Sequence, residues 1–229
     1  MIEVNQIDVA YSGAHVLHGA SLSLQQGELV FIVGRNGAGK TTLLKTIAGL
    51  LKPARGSIRF NGQEIQGIGA EELARRGIRF VAQDKRVFSS LTVRSNIELA
   101  AYAAGVDLDS AIARVLSLYP KLEEFMDHKA GGLSGGQREI LLIGRGLVGN
   151  PSVILIDEPT EGLAAVVIND IFRILVRMKE TMSAIIVEQN LALVRKLADR
   201  VYVMKEGKVT QTLTRDDLAG SKEELERYL

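Results

Sequence analysis

Apolar positions along the chain follow two periodicities. In the first part they form three strand-like runs, IEVNQIDVAY, VLHGASLSL and ELVFIV, separated at Ser12-Gly13 and Gln26-Gly27. Alternation predicts strands with one buried face, and the continuous third run predicts a strand buried on both. GRNGAGKTTLLKTIAG then reads as a glycine-rich loop and a helix ending near Gly49. GSIRFNGQEI predicts a hairpin turning at Asn61-Gly62, and GIRFVAQD a short strand with a polar end, so that strand and turn alternate up to this point. Between about Leu91 and Gly132, TVRSNIELAAYAAG and LDSAIARVLSLYPKLEEFM carry apolar residues at helical spacing, which predicts a helical insertion. LSGGQREILLIGRGL, SVILIDEPT, VVINDIFRILVRMK and SAIIVEQN follow as helix, buried strand, helix and buried strand. The tail predicts a hairpin around Glu206-Gly207 and a closing helix in SKEELERYL. Wholly apolar strands alternating with helices indicate an α/β fold with a parallel sheet covered on both faces.

The 229 residues, 46% hydrophobic and 24% charged, suffice for one large core or two small ones. A net charge of +1 supplies no global field for nucleic acid or anionic lipid, so anions must be handled by local geometry. Without cysteine, disulfides, thiolate chemistry and cysteine zinc sites are excluded, which fits a reducing compartment. The opening MIEVNQIDVA has neither a basic segment nor a long apolar one, and no run approaches the roughly 18 apolar residues of a membrane span. The expectation is a soluble chain.

GRNGAGKT has the spacing G-x-x-x-x-G-K-[ST] and lies between an apolar strand and a helix. Its glycines let backbone N–H groups converge on phosphate oxygens, and the helix N-terminus adds partial positive charge. Gly34, Arg35, Asn36, Gly37, Ala38, Gly39, Lys40, Thr41 and Thr42 are the expected phosphate-binding residues, with Lys40 on the outer phosphates and Thr41 on magnesium. Asp157 and Glu158 leave a buried strand at its carboxyl end, where open α/β sheets hold ligands. Two adjacent acids there suit a division of labour, Asp157 ordering a magnesium shell and Glu158 polarising water for attack on the terminal phosphate. In LSGGQ, Ser134 and Gln137 have capping-box spacing, and Gly135 and Gly136 leave first-turn N–H groups bare. That is either a second anion site or an ordinary capped helix.

Taken together, these motifs resemble the ATP-binding subunits of ABC transporters. GRNGAGKT resembles the Walker A loop, LSGGQ the signature motif and VILIDE the Walker B strand, in the family's order and over nearly the whole chain. The resemblance implies a P-loop NTPase (RecA-like) core with a mainly parallel sheet, an N-terminal antiparallel β subdomain and a helical insertion. The core with its β subdomain would span about 1–90 and 138–229, and the helical part about 91–137. ATP and Mg2+ are the implied cofactors. The implied partner is a second ATP-binding subunit, identical or not, docked head to tail so that Ser134, Gly135, Gly136 and Gln137 of one copy close over the nucleotide of the other.

Tyr11 resembles the aromatic that stacks on adenine, or is a hairpin aromatic packed on the sheet. Gln83 falls where the family has the glutamine that meets magnesium and links nucleotide state to the helical part. The groove near Gln83 to Ile97 would receive a helix of the membrane permease subunits, and Phe88, Leu91 and Val93 line either that groove or the subdomain core. EPTEGLA and VEQN point to the importers of branched-chain amino acids, with the urea importers next, served indirectly by a substrate-binding protein. The expected location is cytoplasmic, peripheral on the inner face of the cell membrane, with no nucleic-acid partner. Ala164 stands where most of the family has Asp, Gly146 where Ala is usual, and Gln189 where most have His. A glutamine can donate to the γ-phosphate and accept from water without carrying charge, which makes Gln189 a neutral catalytic candidate. The competing function is a soluble ABC-type ATPase switching a non-transport assembly. LSGGQ argues against a P-loop kinase, which needs an acceptor pocket instead of a second phosphate-facing loop.

Overall fold

The computed structural model describes residues 1–11, 13–84 and 86–220. The two alternating runs, β1 (Ile2–Tyr11) and β2 (Ala14–Leu24), pair antiparallel. With β4 (Arg55–Phe60) and β5 (Gln63–Glu64) they form a four-stranded sheet in the order β2-β1-β4-β5. The continuous run behaves differently: β3 (Leu29–Val33) leaves its sequence neighbours for a six-stranded sheet. That sheet contains β6 (Ile78–Val81), β7 (Val153–Asp157), β8 (Ser183–Val187), β9 (Arg200–Lys205) and β10 (Lys208–Thr214) in the order β10-β9-β3-β8-β7-β6. Every neighbour pair is parallel except the β9–β10 hairpin, and β3, β7 and β8 are buried at every position.

Side chains alternate between two cores across this sheet, as the strand period of two requires. Val30 and Ile32 face a core shared with the antiparallel sheet and α1 (Lys40–Ile47). Leu29, Phe31 and Val33 face the other, built with α5 (Gly135–Leu147), α6 (Ala165–Lys179) and α7 (Leu191–Leu197). A third core joins α3 (Val93–Ala104) and α4 (Leu108–Leu118) through Ile97, Val115, Leu122 and Met126. Thr92 and Asp107 cap these two helices, each accepting a backbone N–H three residues on. The helical segment is closed at its base, where Val93 N–H donates to His128 O at 3.0 Å and Ala130 N–H to Leu91 O at 2.9 Å.

Three short helices were not expected from the periodicity, α2 (Ala70–Arg75), α7 and α8 (Arg215–Gly220). Each is less than two and a half turns long, too brief for a helical period to register. α8 precedes residues 221–229, so the closing helix expected in SKEELERYL lies outside the described residues. α5 spans the expected boundary at 137–138 and serves both sides, giving Ile140 and Ile143 to the sheet core and Leu141 to the helical core. Gly146 on this helix has a packing cause, since a Cβ there would sit 2.9 Å from Val81 Cγ2 and 3.1 Å from Ile154 Cδ1. The helix-propensity cost of a glycine is therefore not its whole account.

Candidate functional site

Pairing order decides what meets at the carboxyl edge of the sheet. The neighbours β3, β8, β7 and β6 end, respectively, in the glycine-rich loop, in Glu188-Gln189, in Glu158 and, one residue further on, in Gln83. A cleft of about 320 Å³ opens there, lined by Val16, residues 36–42, Gln83, Glu158 and Glu161.

The loop turns on glycines in conformations that side chains resist. Gly34 has φ 148°, and a Cβ on it would strike the Met204 carbonyl; Gly39 has φ 99°, and its Cβ would lie 2.8 Å from Leu17 Cδ2. Gly39 is also the N-cap of α1 and no side chain caps it, so the first-turn N–H groups keep no side-chain partner. Lys40 is buried at 4% exposure, its ammonium donating to Gly34 O at 2.8 Å and Arg35 O at 3.2 Å. Gly34 and Arg35 do not line the cleft. Their carbonyls tether the lysine, and Arg35 borders a second recess against the β9–β10 turn. That turn steadies the loop, with Gly207 N–H donating to Ala38 O at 3.0 Å.

Glu158 is the hub. Its Oε1 accepts from Gln189 Nε2 at 2.8 Å and stands 3.5 Å from the Lys40 ammonium, while Oε2 accepts from Gln83 Nε2 at 3.0 Å. The residue has φ 50°, a left-handed backbone for a side-chain-bearing residue that costs on the order of 1–3 kcal/mol. This turn lifts the carboxylate out of the strand direction and over the cleft. Gln189 also donates to Asn36 Oδ1 at 3.0 Å, so its amide nitrogen is already engaged by two acceptors. The side chain lies beside Glu158. Its donors, expected to be free for a phosphate, are instead spent on protein oxygens in this state.

Asp157 is 1% exposed and neither carboxylate oxygen has a well-formed hydrogen bond. Burial pushes its carboxyl above the usual range, an effect offset in part by the Thr41 hydroxyl nearby. A hard divalent cation would fit such an acid, and Thr41 and Gln83 on the cleft wall would add neutral oxygen ligands. Among the described residues no three His, Cys, Asp or Glu side chains gather into a metal site of their own.

Two acids escaped the sequence reading. Glu188 is 2% exposed, and its Oε1 accepts from the Thr160 hydroxyl at 2.9 Å, Gln189 N–H at 2.9 Å and Asn190 N–H at 3.0 Å. It ties the exits of β7 and β8 together, and burial raises its pKa against those bonds. An acid closing an otherwise apolar run was the available signal. The other is Glu161, on the cleft rim, within a turn whose sequence resembles ordinary polar surface.

The remaining candidates lie elsewhere. Ser134 and Gln137 form a complete capping box, Ser134 Oγ accepting from Gln137 N–H at 3.2 Å and Gln137 Oε1 from Ser134 N–H at 2.8 Å. Gly136 is buried against α6, where a Cβ would meet the Val167 side chain, so close helix packing requires it as well as any ligand. None of residues 134–137 lines the cleft. Val93 and Ile97 are fully buried in the helical core, while Phe88 is 49% and Leu91 36% exposed. The Tyr11 side chain lies outside the described residues.

The sequence profile of the ABC transporter family matches residues 17–161. This chain belongs to that family. It is 38% identical over 211 residues to a high-affinity branched-chain amino acid transport ATP-binding protein of Pseudomonas aeruginosa, covering 91% of each chain. A methionine import ATP-binding protein of Bordetella pertussis is 33% identical over 241 residues, covering 100% of this chain and 66% of that one. Among solved structures, an ATP-binding subunit of an ABC transporter superposes with TM-score 0.87 at 27% identity, over 99% of this chain and 98% of that one. A dimeric ATP-binding cassette in a post-hydrolysis state with ADP and Pi gives TM-score 0.85 at 26% identity, over 94% and 99%. The P-loop NTPase fold expected from the sequence is therefore present, and the chain is an ABC transporter ATP-binding subunit, an ATPase. No helix among the described residues is long and apolar enough to cross a membrane.

Proposed function

We propose that this ABC ATPase binds ATP with Mg2+ and uses its hydrolysis to power an importer of branched-chain or related amino acids. The observation that carries the reading is Glu158, held over the loop cleft by Gln83 and Gln189 beside Lys40. In this reading Glu158 accepts a proton from the attacking water and Gln189 keeps its carboxylate aimed. Lys40, Gly37, Gly39 and Thr42 receive the phosphates, and Asp157, Thr41 and Gln83 hold the metal. Bound magnesium would neutralise charge developing on the phosphate oxygens.

Residues 134–137 stand apart from their own cleft, which supports the head-to-tail pair in which they close over a partner's nucleotide. A recess of about 330 Å³ supports docking of a permease segment at the cytoplasmic membrane face; it is lined by Arg79, Val81, Ala100, Ala103, Leu142 and Arg145, among others. Burial lowers the pKa of both arginines, and neither makes an ion pair or hydrogen bond among the described residues. An entering helix bearing a carboxylate would complement them, with Arg145 already stacked at 5.0 Å over Phe88. The likeness to branched-chain amino acid subunits supports that substrate class over methionine. The test is ATP turnover of the chain reconstituted with its permeases. Leucine with its binding protein should stimulate turnover, and stimulation by methionine alone would overturn the substrate assignment.

A further inference from the structure

Glu161 is exposed on the turn between β7 and α6, at the rim of the cleft. Its Oε2 accepts from Gln83 Nε2 at 2.6 Å, and the same nitrogen donates to Glu158 Oε2 at 3.0 Å. An ionised carboxylate only accepts, so two of them on one end of an amide fix that end as the nitrogen. The Gln83 carbonyl oxygen is left with no hydrogen bond among the described residues. For a magnesium site this matters, because the cation takes oxygen ligands and an amide turned end for end would present N–H groups to it.

We propose that Glu161 is a positioning residue for the divalent cation, holding the Gln83 amide nitrogen together with Glu158 so that the carbonyl oxygen remains available as the ligand. The inference rests on the reading that Gln83 meets the cation. It assigns Glu161 no contact with nucleotide or metal. Its carboxylate faces the cleft, so it also repels bare phosphate, and its removal has opposite effects with and without metal. Partners that orient a metal ligand commonly change metal affinity by about 10-fold or more; for an exposed one the expected change is about 5-fold.

The experiment is calorimetric binding of a non-hydrolysable ATP analogue to the purified full chain, across a Mg2+ titration and in EDTA. In Glu161→Ala the Mg2+ concentration giving half-maximal enhancement of binding should rise about 5-fold, with binding in EDTA no weaker than wild type. Glu161→Gln, whose side-chain oxygen still accepts from Gln83, should stay within about 2-fold of wild type. Gln83→Ala is the reference. If it shifts the Mg2+ dependence and Glu161→Ala does not, this inference fails alone. If Gln83→Ala shifts nothing, the reading of Gln83 falls and this inference falls with it. Equal losses in Glu161→Ala and Glu161→Gln would make Glu161 a direct ligand and overturn its positioning role.

Discussion

α1 and α5 both begin on glycine-rich turns, yet the two helix starts are built for different tasks. At α1 the N-cap is Gly39, no side chain caps it, and the ends of four strands place Lys40, Gln189, Glu158 and Gln83 around it. At α5 the cap is Ser134, the capping box with Gln137 is closed, and Gly136 serves the approach of α6. An uncapped helix start leaves its donors to a ligand, whereas a self-capped one satisfies part of them within the chain. The first gathers its lining from within one chain. In the head-to-tail pair proposed above, the second would become a ligand site when another subunit brings it a nucleotide, and the solved cassette that this chain resembles is dimeric.

The largest effect should come from the hub of the first site. Glu158→Gln keeps the shape and the hydrogen bond from one amide but loses the base, so ATP turnover should drop at least about 100-fold while nucleotide binding persists. Steady-state hydrolysis with parallel binding measurements checks this, and undiminished turnover would remove the base assignment. Gly136→Ala should destabilise the fold by about 2 kcal/mol through overpacking against Val167. Urea unfolding measures it, and unchanged stability would leave Gly136 with a ligand role only. Gln189→Ala frees the Glu158 carboxylate on one side and should reduce kcat about 10-fold with affinity nearly unchanged; equal losses in both would mean that Gln189 shapes the loop through Asn36. Smallest is Ser134→Ala, expected to cost about 1 kcal/mol of stability as a lost cap. A single copy of that variant should bind nucleotide as wild type does, and weaker binding would show that the two helix starts communicate within one chain.

Much of this was legible in order along the chain, because each sign is local. The loop spacing, the acids ending VILID, the capping-box spacing at Ser134 and the continuous apolar strands are properties of short windows. Gly146 and Gly136 were harder to read, since what a glycine spares is a neighbour from a distant segment, Val81 or Val167. Glu188 and Glu161 were passed over for the same reason. Their significance comes from Thr160 and Gln83; Glu188 at least closes an apolar run, whereas Glu161 has no such local sign.

By itself the sequence determined which strands are buried and which residues stand at their exits, since burial on both faces demands an unbroken apolar run that must end in polar residues before the chain can turn. Only the tertiary structure decided that β8 inserts between β3 and β7, and that β6 closes the row. Strand pairing satisfies backbone hydrogen bonds equally well with any apolar neighbour, so the order is chosen by packing of the whole sheet. That order makes Gln189 and Gln83 hydrogen-bond partners of Glu158, one on each carboxylate oxygen.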